Sequence, residues 1–416
     1  MFFSLWKNSL VTESILQSND SDRLRVWLGQ QQKKKQLNKT LLEAVQYASL
    51  EMVEMLVHAG ADIHHDQKKW NAMNAVAYNH TSDCPKILSY LTDQNVNPNI
   101  ESEYGETAMS VFSRRGLFNH IQSLVTYGAS ESFLMFDDLA RIIALGSTQD
   151  LKTFLNAGGD CKHISDRWNR TPLLLATHTG GVEKVKLLLE HGASLEEVTP
   201  DNENALFFCV SNDHVEVLSL LLSRGIDIQL LDDDKNSALM KASVSGATKC
   251  VQILLNAGVD PFIENYVQSS AIDEATNIET VKILVEYGAD VNRINGQGYS
   301  VLMNAVETQD YSFVKALLEF GVDPNASSTG ETALFLAVRS DNKKIAAILM
   351  AHDANVNASD VDGDTALSGA KSTDMAALLL QKGAMLDITN MFGITVVETI
   401  LDKNVKKFVQ LNYKGS

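Results

Sequence analysis

The chain has 416 residues, of which 45% are apolar and 21% are charged, so it carries enough apolar material for a sizeable core. Its formal net charge of −17 disfavours non-specific binding to nucleic acids and to anionic membranes, whose phosphates attract cations. The apolar runs are too short for a transmembrane helix and the first residues lack the features of a secretory signal, so we expect a cytoplasmic protein.

The first 39 residues are predicted to form a helical N-terminal cap. We expect one helix in KNSLVTESILQ and a second in SNDSDRLRVWLGQ, and QQQKKKQ after them is expected to be a solvated loop or finger. Residues 1–40 contain seven Lys or Arg and three Asp or Glu, a net charge of +4, so the rest of the chain carries −21. Such a cap would cover the apolar end of a stack of repeats.

Residues 40–390 contain a short tag that recurs eleven times, from GADI at Gly60 to GAML at Gly383. The tag is a small residue, then an apolar or small one, then usually Asp or Asn, then often an apolar residue or Pro. Successive tags are 30 to 35 residues apart. A fixed period near 33 residues across most of a chain is typical of a stacked repeat protein.

The best-formed unit, TPLLLATHTGGVEKVKLLLEHGAS, shows how one repeat should fold. Thr171 is a predicted N-cap with Pro172 in the first helical turn, and Gly192 is predicted to end the second helix. The second helix has apolar residues at the spacing of one buried face: Val182, Val185, Leu188 and Leu189. Each unit should therefore be a helix, a turn and a second helix that must stack on its neighbours.

This unit and its copies resemble the ankyrin repeat. The resemblance implies an all-α solenoid of helix-turn-helix units joined by β-hairpin or extended fingers, curved with a concave groove. One departure is that Leu174 stands where the family usually has His. A second is the 30-residue spacing of some repeats, notably around residues 129–158, and these repeats are expected to lack the standard finger.

Residues 391–416 contain GITVVETILDKNVKKFVQLN, which is predicted to form a closing pair of helices. Just before it, DVDGDTA places three carboxylates at Asp360, Asp362 and Asp364, but Thr365 and Lys371 stand where a calcium loop would need Gly and Glu. We therefore interpret this segment as the solvated tip of a finger.

The sequence offers no arrangement that indicates catalysis or a cofactor. His and Cys residues lack zinc-ligand spacing, and neither a phosphate-binding loop nor a nucleophile motif is present. The four cysteines are scattered without a CxxC pair, as expected for buried thiols in a reducing compartment. We predict a protein that is not an enzyme and that needs no metal or cofactor.

The resemblance implies that a partner protein or peptide binds to finger tips and first helices on the concave face. In the first half this surface should be aromatic and cationic, and in the second half acidic, which would attract basic segments. An alternative is that the aromatic residues pack on neighbouring fingers and the acidic residues are only solvated. The predicted contact residues are Trp70, Tyr104, Arg114, Arg115, Phe133, Phe136, Arg167, Trp168, Arg170, His178, Asp233, Asp234 and Tyr299, with Lys68, Asp201, Glu203, Asp362 and Asp364 nearby.

Three kinds of function fit these expectations. The first is a non-enzymatic scaffold or adaptor that holds a partner protein or peptide. The second is an inhibitor or immunity-type neutraliser of a toxin or enzyme, or a bacterial effector that acts on host proteins. The third is an enzyme with a site built into the groove, which an open surface seldom provides.

Overall fold

The computed structural model describes residue 16 and residues 21–30, 32–67, 69–79, 81–162, 166 and 168–413. Three of the sequence predictions therefore lie outside the described residues: Lys68, Arg167, and, except for Leu16, the helix expected in KNSLVTESILQ. The chain divides into two compact units, unit 1 at residues 1–232 and unit 2 at residues 233–416.

Unit 1 is built from short helices that follow one another in pairs. A 3-10 turn at Glu131–Leu134 lies between the helices Phe118–Tyr127 and Asp138–Leu145. The α-helices are α1 (Ser21–Leu28), α2 (Lys34–Tyr47), α3 (Leu50–His58), α4 (Ala72–Val76), α5 (Cys84–Asp93), α6 (Ala108–Arg114), α7 (Phe118–Tyr127), α8 (Asp138–Leu145), α9 (Thr148–Asn156), α10 (Pro172–Thr179), α11 (Val182–Glu190), α12 (Ala205–Val210) and α13 (Val215–Ser223).

Unit 2 is also built from successive short helices. A 3-10 turn at Ala366–Gly369 lies between the helices Lys343–Ala351 and Thr373–Gln381. Its α-helices are α14 (Ala238–Val244), α15 (Thr248–Asn256), α16 (Ile278–Glu286), α17 (Val301–Glu307), α18 (Tyr311–Phe320), α19 (Ala333–Arg339), α20 (Lys343–Ala351), α21 (Thr373–Gln381), α22 (Val396–Thr399) and α23 (Lys403–Asn412). Among the described residues, no helix is both long enough and apolar enough to cross a membrane.

The pair α10 and α11 forms for the reasons that the sequence indicated. The Thr171 side chain accepts a hydrogen bond from the Leu174 backbone N–H, and Pro172 is the first residue of α10. Gly192 has a φ of +95°, a left-handed conformation that favours glycine after a helix. Val185 and Leu188 are fully buried. The all-α repeat architecture is thus confirmed, and the predicted concave groove stays a prediction.

In the part of the chain that the structure describes, the fingers are turns stabilised by side chains rather than β-strands. In unit 1, Asp166 Oδ1 accepts from the backbone N–H of residues 168 and 170, at 2.9 and 3.1 Å. In unit 2, Asn295 Oδ1 accepts in the same way from residues 297 and 299, both at 3.0 Å. Asp, Asn and Ser side chains favour such turns because they satisfy two backbone donors locally.

The three repeats with 30-residue spacing are shortened in different places, which corrects our prediction that they lack a finger. Around residues 129–158 the finger is indeed replaced by the 3-10 turn. In the next such repeat a finger forms at 265–269, and the first helix is reduced to turns around Ser270–Ala275. In the third, the first helix is the 3-10 turn at Ala366–Gly369, after a complete finger. The spacing shows that residues are missing, and the structure shows that helix or finger can lose them.

The two ends of the described chain carry helices that pack on the repeats. α1 packs against α3 and buries Leu24 and Trp27. The loop predicted at QQQKKKQ ends earlier than expected, because α2 already begins at Lys34. The closing helix pair predicted in the last segment forms as α22 and α23, and Val405 and Val409 of α23 are buried. The predicted domain boundaries at residues 39 and 390 stay predictions.

Candidate protein-binding surfaces

In unit 1, aromatic and charged side chains from successive repeats contact one another in a row. The rings of Trp70 and Tyr78 lie 5.6 Å apart, and the Tyr78 hydroxyl donates to the Glu106 carboxylate. Arg114 Nη1 lies 2.9 Å from Glu106 Oε1, and its guanidinium lies 5.5 Å from the centre of the Trp168 ring. We call these five residues the aromatic cluster. It joins predicted contact residues that are far apart in sequence.

Electrostatics tie the centre of the aromatic cluster together. Burial and the neighbouring Glu106 carboxylate raise the pKa of Tyr78 to about 12, so its hydroxyl remains a proton donor at neutral pH. The cation of Arg114 is shared between Glu106 and the face of Trp168, an arrangement that combines an ion pair with a cation–π contact. Trp70 and Trp168 are half-buried, whereas Arg114 is exposed.

Tyr104 lies at the tip of the finger that also carries Glu106. It is 54% exposed, and the Glu103 carboxylate raises the pKa of its hydroxyl. The finger is held by Ser102 Oγ, which accepts from the backbone N–H of residues 104 and 106 at 3.3 and 3.1 Å. Tyr104 is therefore an accessible aromatic side chain on an ordered turn, and its role as a contact residue stays a prediction.

Arg170 and His178 do not lie on an exposed face, which corrects their prediction as contact residues. Arg170 is 1% exposed and His178 is 3% exposed. Arg170 Nε donates to Asp166 Oδ2 at 2.6 Å, and Nη1 donates to the carbonyl of Ser113 at 3.0 Å. Its Nη1 also lies 2.6 Å from His178 Nδ1, which must accept because a guanidinium only donates. These residues hold the fold together.

The irregular repeat explains why Arg170 is buried. Other fingers contact the helix of the preceding repeat, as when Asn74 Nδ2 donates to the carbonyl of Ile100, 26 residues away. Arg170 instead reaches Ser113 of α6, 57 residues away in sequence. Because the segment between α7 and α8 forms a 3-10 turn and no finger, the Arg170 side chain reaches past it to Ser113 of α6.

Arg115 is also engaged by the fold rather than free for a partner. Its Nη1 donates to the carbonyl of Asn79 at 3.1 Å and to that of Ala77, at the end of α4. Burial lowers its pKa, and the guanidinium donates to carbonyls that the helix leaves without partners. Together with Arg170, this removes much of the cationic character that the sequence suggested for this half.

Phe133 lies in the 3-10 turn at Glu131–Leu134, and Phe136 follows it by two residues. Both are half-buried, on either side of Met135, whose φ is +51°. Asp137 follows and caps α8, since its Oδ1 accepts from the Ala140 backbone N–H at 2.6 Å. Phe133 therefore lies in the 3-10 turn and Phe136 just before α8, and their role as contact residues stays a prediction.

The acidic residues predicted for the second half are divided between the units. Asp201 and Glu203 belong to unit 1, whereas Asp233, Asp234 and Tyr299 belong to unit 2. Asp233 and Asp234 are exposed at a finger tip, and Tyr299 is half-buried at the end of another finger. The acidic binding surface predicted for this half stays a prediction.

Sequence reasoning missed a set of exposed apolar residues at two finger tips of unit 2. These tips follow Asp360 and Asn390, the two residues whose side chains hold the turns. The signal was present, because the two positions after a turn-holding Asp or Asn are the tip of each finger. The missed residues are Val361, Met391, Phe392 and Ile394.

Groups that could support metal binding are not gathered in the described part of the chain. No three His, Cys, Asp or Glu side chains lie close enough there to hold a metal ion. All four cysteine side chains are buried, and burial raises the pKa of the thiols of Cys84 and Cys161, which keeps them protonated.

A family model described as "Ankyrin repeats (3 copies)" matches residues 41–132, 139–232, 195–265, 228–295, 266–328 and 302–390. The putative ankyrin repeat protein FPV034 of fowlpox virus (strain NVSL) is 29% identical over 133 residues, which are 31% of this chain and 31% of that protein. The nuclear factor NF-kappa-B p105 subunit of Gallus gallus is 36% identical over 110 residues, which are 25% of this chain and 11% of that protein. The chain therefore spans less than a third of the length of these two relatives.

Two solved structures are similar over about half of the chain. The human ASB11 ankyrin repeat domain is 26% identical, with a TM-score of 0.47, and covers 52% of this chain and 99% of that one. The ankyrin repeat domain of Bcl-3, a member of the IkappaB protein family, is 28% identical, with a TM-score of 0.43, and covers 51% of this chain and 98% of that one.

Proposed function

Because the chain belongs to the ankyrin-repeat family, whose repeats are generally protein–protein interaction modules, we propose that it is a non-enzymatic scaffold that binds a partner protein or peptide on the aromatic side of unit 1. The binding surface consists of Tyr104 together with the accessible edges of Trp70, Arg114 and Trp168. Nothing in this proposal requires a cofactor.

The single observation that carries the proposal is the order of the aromatic cluster. Its side chains are fixed by one another, through the Arg114–Glu106 ion pair and the Arg114–Trp168 contact, and yet Arg114 and Tyr104 stay exposed. Tyr, Trp and Arg dominate the binding energy of protein interfaces. Side chains that are already immobilised lose less conformational entropy when a partner binds, which favours affinity.

The test is affinity capture from lysate with quantitative mass spectrometry, using the full chain and a Tyr104→Ala/Trp168→Ala variant. At least one protein captured reproducibly by the wild type should fall about tenfold or more in the variant. The matched control is Tyr266→Ala, which removes an exposed tyrosine from a finger tip of unit 2. Equal capture by the wild type and both variants would refute the proposed surface.

The captured partner then distinguishes a scaffold from a neutraliser. A scaffold leaves the activity of its partner intact when the complex forms, whereas a neutraliser abolishes it. The assay is the partner's own activity, measured with and without a saturating amount of this chain. Loss of that activity on binding would replace the scaffold by the neutraliser as the function of the same surface.

A further inference from the structure

The last two fingers of unit 2 are hairpins, each closed by an isolated bridge. Isolated antiparallel bridges join Ser359 to Thr365 and Thr389 to Thr395. Each bridge closes a hairpin around a tight tip. We call residues 359–365 and 389–395 the hairpin pair.

The two tips of the hairpin pair are fixed to each other. Asp360 Oδ1 accepts from the backbone N–H of residues 362 and 364, at 3.0 and 2.9 Å. Asn390 Oδ1 does the same for residues 392 and 394, at 3.0 and 3.1 Å. The backbone N–H of Met391 donates to the carbonyl of Asp362 at 2.8 Å, so the tips are bonded side by side.

A glycine allows this close approach. Gly363 has a φ of +82°, and a Cβ at this position would lie 2.9 Å from Asn390 Cα and 3.0 Å from Met391 N. Another residue would have to push the second hairpin away. The pair is therefore an ordered platform, and what it presents to solvent is presented in a fixed arrangement.

The side chains on this platform are apolar. Val361 is 71% exposed, Met391 is 66% exposed and Phe392 is 70% exposed, with Ile394 beside them. Such exposure means that these residues do not pack on neighbouring fingers. Contiguous exposed apolar side chains cost solvation free energy, and in soluble proteins they commonly mark interaction sites.

The two sequence stretches that contain the hairpin pair carry charge of one sign. Residues 353–370 contain four Asp and residues 384–402 contain two Asp and one Glu, and neither stretch contains Lys or Arg. Among the described residues, none of the ion pairs involves Asp360, Asp362 or Asp364. A complementary occupant therefore needs positive charge as well as apolar side chains.

We propose that the hairpin pair docks a segment of a partner protein in which Lys or Arg residues alternate with apolar or aromatic side chains. The apolar residues of that segment cover Val361, Met391 and Phe392, and its cations approach Asp362 and Asp364. A second copy of this chain would bring a like-charged surface to the same place, and an anionic lipid surface would be repelled. This site goes beyond the function proposed above, since it lies in the other unit and has a different chemistry.

The test uses a short fluorescent peptide in which Lys and Arg alternate with Leu and Phe, and measures its binding to the full chain by anisotropy. Two matched peptides replace the cations by Glu, or the apolar residues by Ser. The first peptide should bind at least about tenfold more tightly than either matched peptide. Its binding should weaken about tenfold in a Val361→Ser/Met391→Ser/Phe392→Ser variant and several-fold in Asp362→Asn.

Three controls make the result specific. Tyr266→Ser/Val267→Ser alters exposed apolar residues of another unit 2 finger and should leave binding unchanged. The Tyr104→Ala/Trp168→Ala variant of unit 1 should also bind normally, so the two proposals fail separately. Because the three substituted side chains are exposed, the melting temperature of the triple variant should match the wild type, and the single variant Phe392→Ser gives a milder version of the same test.

Several outcomes would overturn the proposal. Equal binding of all three peptides, or unchanged binding by the triple variant, would contradict a basic and apolar occupant. Sedimentation that shows dimers in the wild type and monomers in the triple variant would assign the platform to a second copy instead. Binding to phosphatidylserine–phosphatidylcholine vesicles that the triple variant loses would assign it to a lipid surface.

Discussion

The aromatic cluster of unit 1 and the hairpin pair of unit 2 both carry large apolar side chains on fingers, yet they use them differently. In the cluster, Trp70 and Trp168 are half-buried and contact Tyr78 and Arg114. In the hairpin pair, the Phe392 side chain is mostly exposed to solvent. An aromatic residue in a finger therefore predicts neither a binding site nor a packing role by itself. Its role depends on whether a side chain of a neighbouring repeat packs against it.

The largest effect is expected when the buried cation of Arg170 is removed from unit 1. Arg170→Met should lower the free energy of unfolding by about 3–5 kcal/mol, because it leaves the buried Asp166 carboxylate without its cation. Urea unfolding followed by circular dichroism measures the change. The control is Arg114→Met, an exposed arginine whose ion pair should contribute about 1 kcal/mol or less. A loss below about 1 kcal/mol for Arg170→Met would show that the network is not stabilising.

A direct comparison of one aromatic residue from each region gives a smaller effect. Trp168→Ala should cost about 1–2 kcal/mol, because it removes a half-buried ring and the Arg114 contact. Phe392→Ala should change the free energy of unfolding by no more than about 0.5 kcal/mol, as expected for an exposed side chain. Thermal and urea unfolding of both variants test this pair. Equal losses would contradict the distinction between the two regions.

The smallest expected effect is a pH dependence that belongs to unit 1. Burial lowers the pKa of His214, whose Nε2 lies 3.1 Å from the His178 carbonyl, and also lowers that of His120. A base with a lowered folded-state pKa binds fewer protons in the folded than in the unfolded chain. Stability should therefore be fully present above the ordinary histidine pKa of about 6.5 and should decline as the pH falls below it.

The measurement is urea unfolding at a series of pH values between neutral and mildly acidic. His214→Gln keeps a hydrogen-bond donor without a titratable group, so its stability should depend less on pH than that of the wild type. A His214→Gln profile identical to that of the wild type would show that His214 does not contribute.

The sequence predicted what is repeated and missed what breaks the repeat. Periodic apolar residues, the Thr171 cap and Gly192 all follow from local rules that act within one unit, and the structure has them where expected. Positional analogy placed Arg170 and His178 on a surface, because in a regular repeat those positions face outwards. The 3-10 turn before α8 changes which helix the next finger meets, and no periodicity encodes that contact.

The same limit applies to the shortened repeats and to the tips of the hairpin pair. A spacing of 30 residues shows that a unit is short, but helix and finger can each absorb the loss. The exposed Val361, Met391 and Phe392 could have been found by aligning the turn-holding residues Asp360 and Asn390. Their exposure, however, depends on how the hairpins pack, which only the three-dimensional arrangement shows.

The contact between Arg170 and Ser113 has a consequence for how unit 1 unfolds. Proteins of this type are usually described as one-dimensional arrays in which each element couples only to its nearest neighbours, so that unfolding can begin at any weak link. The hydrogen bond between Arg170 and Ser113 joins residues that are 57 apart in sequence. It therefore couples the two repeats on either side of the irregular repeat, which are not nearest neighbours. The segment from α6 to α10 should then lose its hydrogen-exchange protection as one cooperative block, and the irregular turn inside it should be no easier to open than the repeats on either side.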